Sequence, residues 1–238
     1  MTKRFRFNTL CLATTLALVS TQASAATVTL TKLTGVTGDN PANTAVFAAD
    51  LTSYGDNVTS ILIKDASNFQ GGSPGQFSGF DLDAIKLSLT PCATAACVAG
   101  LAGLSVFNFG PGGTAFTPGS QRPTANARLF GTVGANVFDN SIATLGAFDA
   151  DSSTTLPAGF LSLGDTGQIM FNLTSPVKLD GLWLYIGEVG NNGEVANSTI
   201  ELFSRGVPEP STWAMMILGI GFTGAAMRRR QRISVSYA

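Results

Sequence analysis

The sequence contains no histidine among its 238 residues, which excludes the catalytic triads and the zinc sites that depend on an imidazole. Charged residues are scarce as well. They make up 12% of the chain, about half the ~25% of an average soluble protein. So little charge is not typical of a coiled coil or a nucleic-acid-binding protein, and 45% apolar residues exclude a disordered chain. The length allows one large domain or two small ones.

The few charged residues are distributed unevenly along the chain. Basic residues cluster at both ends, whereas residues 26–206 contain seven basic and 14 acidic residues, a net charge of −7. An apolar run lies next to each basic cluster. Basic ends beside apolar runs, around an acidic middle, indicate a chain that is handled at a membrane rather than a cytosolic enzyme.

The first 25 residues have the three parts of a secretory signal peptide in order. An apolar run over residues 10–19 is too short to cross a bilayer comfortably, and Ala23 and Ala25 form the small-x-small pattern that signal peptidase recognises. We therefore predict cleavage after Ala25 and a mature chain that begins at Ala26. The alternative is a buried N-terminal helix. The basic residues that precede the apolar run are Lys3, Arg4 and Arg6.

The middle of the chain shows the period-two alternation of β-strands. Clusters of Gly, Asn, Asp, Ser and Pro separate the alternating segments and mark turns. This pattern predicts an all-β fold over residues 26–206, an antiparallel β-sandwich of jelly-roll-like type with about eight to ten strands. A barrel is the alternative. The alternating segments are residues 27–31, 58–64, 80–89, 104–109, 168–174, 182–186 and 198–203.

Two cysteines remain after the predicted cleavage, Cys92 and Cys97. Export exposes them to an oxidising compartment, in which paired cysteines usually form disulfides. We expect them to close a small loop between two strands, provided that a turn brings their Cα atoms within about 7 Å. A redox pair or half of a metal site is the alternative, but the spacing is not C-x-x-C, and no histidine or further cysteine could complete a metal shell.

Acidic residues in the body give two candidate sites. Asp81 and Asp83 alternate along a predicted strand, which places both carboxylates on one face, about 7 Å apart. Asp149 and Asp151 lie in a turn with side-chain oxygens at alternate positions, similar to the start of a calcium loop, but the sixth-position Gly and the closing Glu are missing. We predict no cofactor, with Asp149 and Asp151 as weak Ca²⁺ candidates. The simpler interpretation is that these Asp residues stabilise turns.

The C-terminus carries the most specific pattern. Pro208 and Pro210 keep their segment extended and accessible, and Trp213 is placed where an interfacial aromatic residue belongs. The apolar run 213–227 has 15 residues, about 22 Å as a helix, and so predicts a short transmembrane helix in a ~30 Å hydrocarbon core. The basic tail 228–232 would stay cytoplasmic. A core helix with a basic tail is the alternative.

This segment, residues 207–232, resembles the PEP-CTERM sorting signal of exopolysaccharide-producing Gram-negative bacteria, in its PEP-x-x-WA variant. The resemblance implies that an exosortase, a membrane-embedded enzyme, recognises the segment and cuts near the Pro-Glu-Pro triplet. It implies that the triplet is recognised rather than catalytic. The residues that carry the resemblance are Pro208, Glu209, Pro210, Trp213, Ala214, Arg228, Arg229 and Arg230.

The sequence as a whole predicts an exported protein rather than an enzyme. Its expected partners are signal peptidase, the exosortase and the inner membrane, which anchors the precursor, and no nucleic acid. Its expected destination is the cell surface or the extracellular biofilm matrix, in a structural or exopolysaccharide-associated role. The alternatives are a carbohydrate-binding module for the exopolysaccharide and a secreted hydrolase, which would require a carboxylate pair in a cleft.

Overall fold

The described part of the chain is built mainly of β-strands. A computed structural model describes residues 24–38, 43–54, 57–67, 69–153, 155–192 and 199–204, all within one compact unit, Ala23–Gly206. Most of the predicted signal peptide and the segment 207–232 lie outside these residues. The strands are β1 Ser24–Val28, β2 Thr31–Lys32, β3 Thr44–Asp50, β4 Asn57–Lys64, β5 Asp81–Ser88, β6 Thr114–Thr117, β7 Thr132–Val133, β8 Val137–Phe138, β9 Leu161–Ser162, β10 Gln168–Lys178, β11 Trp183–Val189 and β12 Thr199–Ser204; the helices are α1 Ala95–Ala99 and α2 Asn140–Ala143.

Two five-stranded antiparallel sheets form the fold. Sheet A has the order β1-β12-β4-β10-β6 and sheet B the order β2-β3-β11-β5-β9. The pairs β1·β12, β3·β11, β4·β10 and β5·β9 are nested, as though one long hairpin had been folded over into two sheets. This nesting is the jelly-roll arrangement, and the prediction of an antiparallel, jelly-roll-like β-sandwich is confirmed.

The core lies between the two sheets. Alternate residues of each long strand point inward and are fully buried, since period-two side chains face opposite sides of a sheet. Their burial is the main stabilising contribution, at about 25 cal/mol per Å² of apolar area. The inward residues include Ile61, Ile63, Ile169, Phe171, Ile200 and Leu202 from sheet A, and Phe47, Leu82, Ile85, Leu87, Leu184 and Ile186 from sheet B.

Sheet B is covered on its outer face too, which the sequence pattern did not predict. Val46, Ala48 and Tyr185 of this face pack against Ala95 and Val98 of α1. We call this second apolar cluster the outer layer. Strand β3 is consequently buried on both faces except at Asp50. Its Ala-rich sequence hides the alternation, which explains why the sequence did not identify this strand.

The predicted segments correspond to observed strands with two exceptions. The segment 27–31 is divided between β1 and β2. The prediction of a strand over residues 104–109 is wrong, because only Phe107 forms a bridge, to Leu173. Side chains of the segment still pack on the core, among them Leu104, Val106 and Phe109, so their alternation reflects burial without strand pairing. Neither helix of the described residues has the length and apolar character needed to cross a membrane.

Candidate functional site

Cys92 and Cys97 are joined by a disulfide in the structure, and their Cα atoms are 5.7 Å apart. The bond closes a turn at the start of α1, where the Thr94 hydroxyl accepts a hydrogen bond from the Cys97 N–H at 3.2 Å. The Tyr185 hydroxyl accepts from the Cys92 N–H at 2.8 Å. Because Tyr185 is fully buried in β11, this bond attaches the disulfide turn to the outer face of sheet B.

We expect this disulfide to form in the exported protein and to stabilise it modestly. Reduction should lower the free energy of unfolding by about 2 kcal/mol, because a loop of six residues removes little entropy from the unfolded chain. Mass spectrometry after alkylation should show no modified cysteine before reduction and both modified after it. Alkylation of Cys92 and Cys97 without a reductant would contradict the prediction.

Lys86 attaches the other end of α1 to the same face. Its ammonium donates to the carbonyl oxygens of Val98 at 3.3 Å and Leu101 at 3.1 Å, and it lies 5.1 Å from the centroid of the Phe148 ring. A cation at these carbonyls stabilises a helix C-terminus, and the aromatic face adds to this. Burial lowers the pKa of Lys86, while the nearby Asp83 carboxylate opposes that shift. Lys86 is therefore a structural cation of the outer layer.

The two calcium candidates, Asp149 and Asp151, form hydrogen bonds within their own loops. The Asp149 carboxylate accepts a hydrogen bond from the Thr144 hydroxyl at 2.7 Å, and the Asp151 carboxylate accepts from the Ser153 N–H at 2.8 Å. Across residues 24–204, as far as the structure describes them, no three His, Cys, Asp or Glu side chains gather as a metal site would require. The observed contacts are those of turn-stabilising Asp residues.

Asp81 and Asp83 both lie on the outer face of β5 and are buried. The Asp83 carboxylate accepts hydrogen bonds from the Thr44 hydroxyl at 2.6 Å and from the N–H groups of Asp149 and Ala150, both at 3.2 Å. A register shift in the pairing of β5 with β11 sets Asp83 opposite Gly187. A Cβ at Gly187 would lie 3.0 Å from the Asp83 Cβ, so glycine gives the carboxylate its space.

Glu188 is a second buried carboxylate of sheet B and is fully inaccessible to solvent. Burial raises its pKa to about 7, against the opposing influence of the Asn191 and Asn192 amides and the Lys32 ammonium. Burial likewise raises the pKa of Asp83 to about 7, helped by the charge of Asp149 and opposed by the Thr44 hydroxyl and by the Asp149 and Ala150 amides. Sheet B thus contains two carboxyl groups that take up protons near neutral pH.

These two groups should make the protein less stable as the pH rises. An unfolded Asp has a pKa of about 3.9. Between about pH 4 and pH 7 the folded state therefore holds more protons than the unfolded state, and the free energy of unfolding falls with rising pH. Replacing Asp83 with Asn keeps the shape, lets the amide oxygen accept from the Asp149 and Ala150 N–H groups and lets the amide NH2 donate to the Thr44 hydroxyl, all without the charge. D83N should therefore lose less stability between pH 5 and pH 8 than the wild type does.

Thermal unfolding at a series of pH values measures this difference. Asp180→Asn is the matched control, since Asp180 is exposed and pairs only with Lys178 at the surface; it should follow the wild type. Equal pH dependence of D83N and the wild type would contradict the assignment.

A buried ion pair joins three loops at one end of the sandwich. The Arg122 Nε lies 3.2 Å from the Asp165 Oδ2, and the two side chains are 17% and 0% exposed. The nearby Asp65 carboxylate accepts hydrogen bonds from the Phe80 N–H at 3.1 Å and the Thr166 N–H at 2.8 Å. We call Arg122, Asp165 and Asp65 the Arg122 clasp. Backbone N–H groups hold Asp65 and the Arg122 charge faces Asp165, so the clasp holds the loops together structurally.

The two ends of the described chain lie side by side. In the pair β1·β12, Ser24 is opposite Ser204, Ala25 opposite Phe203 and Ala26 opposite Leu202. The predicted cut after Ala25 therefore falls inside β1, between Ala25 and Ala26; Ala23 lies outside the described residues. Strand β12 ends at Ser204, and the C-terminal segment follows it closely in the sequence.

The C-terminal segment matches a family model. The model describes the PEP-CTERM protein-sorting motif and covers residues 206–230, which confirms the resemblance. The motif residues Pro208, Glu209, Pro210, Trp213, Ala214, Arg228, Arg229 and Arg230 lie outside the described residues. No curated protein and no solved structure matches the chain.

Several structurally important residues carried no signal in the sequence. Arg122 stands alone between Gln121 and Pro123, and its partner Asp165 is 43 residues further along the chain. Glu188 lies in an apolar strand, where it would be expected to face solvent. Only the pairing of distant strands shows that these charges are buried.

Proposed function

We propose that the β-sandwich is a non-catalytic component of the cell surface or extracellular matrix. The premise is that this chain is an exported PEP-CTERM protein whose membrane-anchored precursor is sorted by an exosortase. The observation that carries the proposal is that the sorting motif follows the sandwich directly in the sequence. Strand β12 ends at Ser204 and the matched motif begins at residue 206. Sorting of the motif therefore delivers the sandwich that precedes it.

The buried carboxylates support a structural rather than a catalytic role. Asp65 and Asp83 each accept hydrogen bonds from backbone N–H groups, and Asp165 faces Arg122. A glycosidase needs two carboxyl groups that reach the substrate from opposite sides of a cleft. Buried carboxyl groups held by backbone donors, as in Asp65 and Asp83, or by a cation, as in Asp165, are arranged to fix the loops around them.

We also propose that the delivered protein associates with exopolysaccharide. The family resemblance places such proteins in exopolysaccharide-producing bacteria. A sandwich fixed by a disulfide, a buried ion pair and two apolar layers is suited to persist outside the cell, because these interactions lie within the body itself.

Cell fractionation of three strains tests this function. In the wild type we expect the protein in the matrix fraction; without the exosortase we expect it in the inner membrane at full length. In a strain that makes no exopolysaccharide, processed protein should move from the matrix to the medium.

Two results would contradict the proposal. Retention in the matrix fraction without exopolysaccharide would show that another component holds the protein. Release of new reducing ends when the purified protein is incubated with the exopolysaccharide would show that it is a hydrolase.

A further inference from the structure

Arg128 differs from every other basic side chain of the described residues in having no partner there. Arg128 is exposed and forms neither a hydrogen bond nor an ion pair with any residue that the structure describes. The other described basic residues bind as follows: Lys32 to Asn191, Lys64 to Glu201, Lys86 to the carbonyls of α1, Arg122 to Asp165, and Lys178 to Asp180. Arg128 therefore retains its full capacity to bind an anion.

Arg128 lines a cleft of about 230 Å³. The volume is below the roughly 300–1,000 Å³ of pockets for drug-sized ligands and suits a single sugar ring. Among the described residues that line the cleft, Arg128 alone is charged, within a body of net charge −7. The remaining lining residues are Gln76, Leu129, Phe130, Gly131, Thr132, Ile142, Thr155, Leu156 and Pro157.

The wall that carries Arg128 is held in place by the residues that follow it. The Leu129 N–H donates to the Asn136 side chain at 2.8 Å, and the Thr132 hydroxyl donates to the Leu129 carbonyl at 2.6 Å. The Phe130 N–H donates to the Gln76 carbonyl at 2.9 Å. A wall fixed in this way loses little entropy when a ligand binds, which favours affinity.

Phe130 gives the cleft an aromatic surface. Its ring packs 4.4 Å from the ring of Phe160 and 5.7 Å from that of Phe77, centroid to centroid. Phe160 is fully buried, whereas Phe130 is only partly buried. One buried ring, Phe160, and one partly buried ring, Phe77, thus position a ring that is itself only partly buried.

We infer that this cleft binds a sugar ring that carries a carboxylate, such as a uronate unit of an acidic polysaccharide. A guanidinium and a carboxylate form paired, charge-assisted hydrogen bonds, and an apolar cleft with few polar groups orients a small ligand. The inference rests on the proposed association with exopolysaccharide and adds the chemical class of the sugar and the residues that bind it.

The experiment measures binding of tri-galacturonate to the full-length chain in detergent by calorimetry at low salt. The neutral galactose trimer is the parallel ligand. We expect binding of the acidic trimer only, and a loss of about tenfold or more in affinity for Arg128→Gln, which corresponds to removal of a charge-assisted pair.

Lys178→Gln is the matched control, because it removes one exposed positive charge from outside the cleft; its affinity should equal that of the wild type. Leu156→Asp provides a second test. Leu156 is 79% exposed, so the change should leave folding intact, and the new carboxylate should repel the ligand and lower its affinity.

Three results would overturn the inference: no binding of tri-galacturonate, equal binding of the neutral trimer, or an equal affinity of R128Q and the wild type. Any of them could occur while the fractionation still places the protein in the matrix. Failure of this site and failure of the proposed function are therefore distinguishable.

Discussion

Replacement of Pro208, Glu209 and Pro210 with three alanines is expected to leave the protein in the inner membrane as a full-length precursor. The match over residues 206–230 identifies the sorting motif, and the sequence predicts an extended triplet because proline does not fit a helix interior. Alanine favours a helix and removes the features that are recognised. The measurement is an immunoblot of membrane and medium fractions, with an expected loss of nearly all of the processed form.

The matched control replaces Ser211 and Thr212, the two variable positions of the motif, with alanine; its processing should equal that of the wild type. Deletion of residues 213–238 should give a body that is released without an anchor. If the triple-alanine variant reached the medium trimmed at the wild-type rate, the triplet would have no part in sorting.

Replacement of Arg122 with Met is expected to lower the free energy of unfolding by about 3–5 kcal/mol, the usual cost of removing one partner of a buried ion pair. Met retains much of the side-chain length but leaves Asp165 uncompensated. The pKa of Asp165 is already raised by burial and by the neighbouring Asp65, and the Arg122 charge opposes this shift more than the Ser67 hydrogen bond does. Urea denaturation of the purified protein measures the loss.

Two further variants distinguish the contribution of the ion pair to the free energy of unfolding from that of side-chain packing. Arg122→Met combined with Asp165→Asn should recover part of the lost stability, because the unpaired, buried Asp165 carboxylate is no longer present. Lys64→Met removes the surface pair with Glu201, whose side chains are 36% and 22% exposed, and should cost at most about 1 kcal/mol. Equal losses for Arg122→Met and Lys64→Met would contradict the structural role of the Arg122 clasp.

The sandwich could be predicted from the sequence because its main strands alternate regularly. Ile61 and Ile63, or Ile169 and Phe171, face the core at every second position, and this period is legible without a structure. The sorting motif could be recognised for another reason: its pattern consists of residue types within one continuous segment, which a family model matches over residues 206–230.

The outer layer and the Arg122 clasp could not be predicted in this way. Val46 and Ala48 face α1 while Phe47 faces the core, so a strand buried on both sides shows no alternation. Arg122 follows β6 in the chain, and Asp165 precedes β10. The two residues meet only because β10 pairs with β6, which places the loop after β6 beside the loop before β10. Contacts that depend on the pairing of strands far apart in the chain leave no pattern in consecutive residues of the sequence.

The pairing of β1 with β12 imposes an order of events on biogenesis. Strand β1 is synthesised first and β12 last, yet each residue from Ser24 to Val28 requires a partner in β12. Sheet A therefore cannot close until almost the entire body has been exported, and so distant a pairing forms slowly. The predicted cleavage site, the bond between Ala25 and Ala26, therefore stays outside the β1·β12 pairing until β12 has been made.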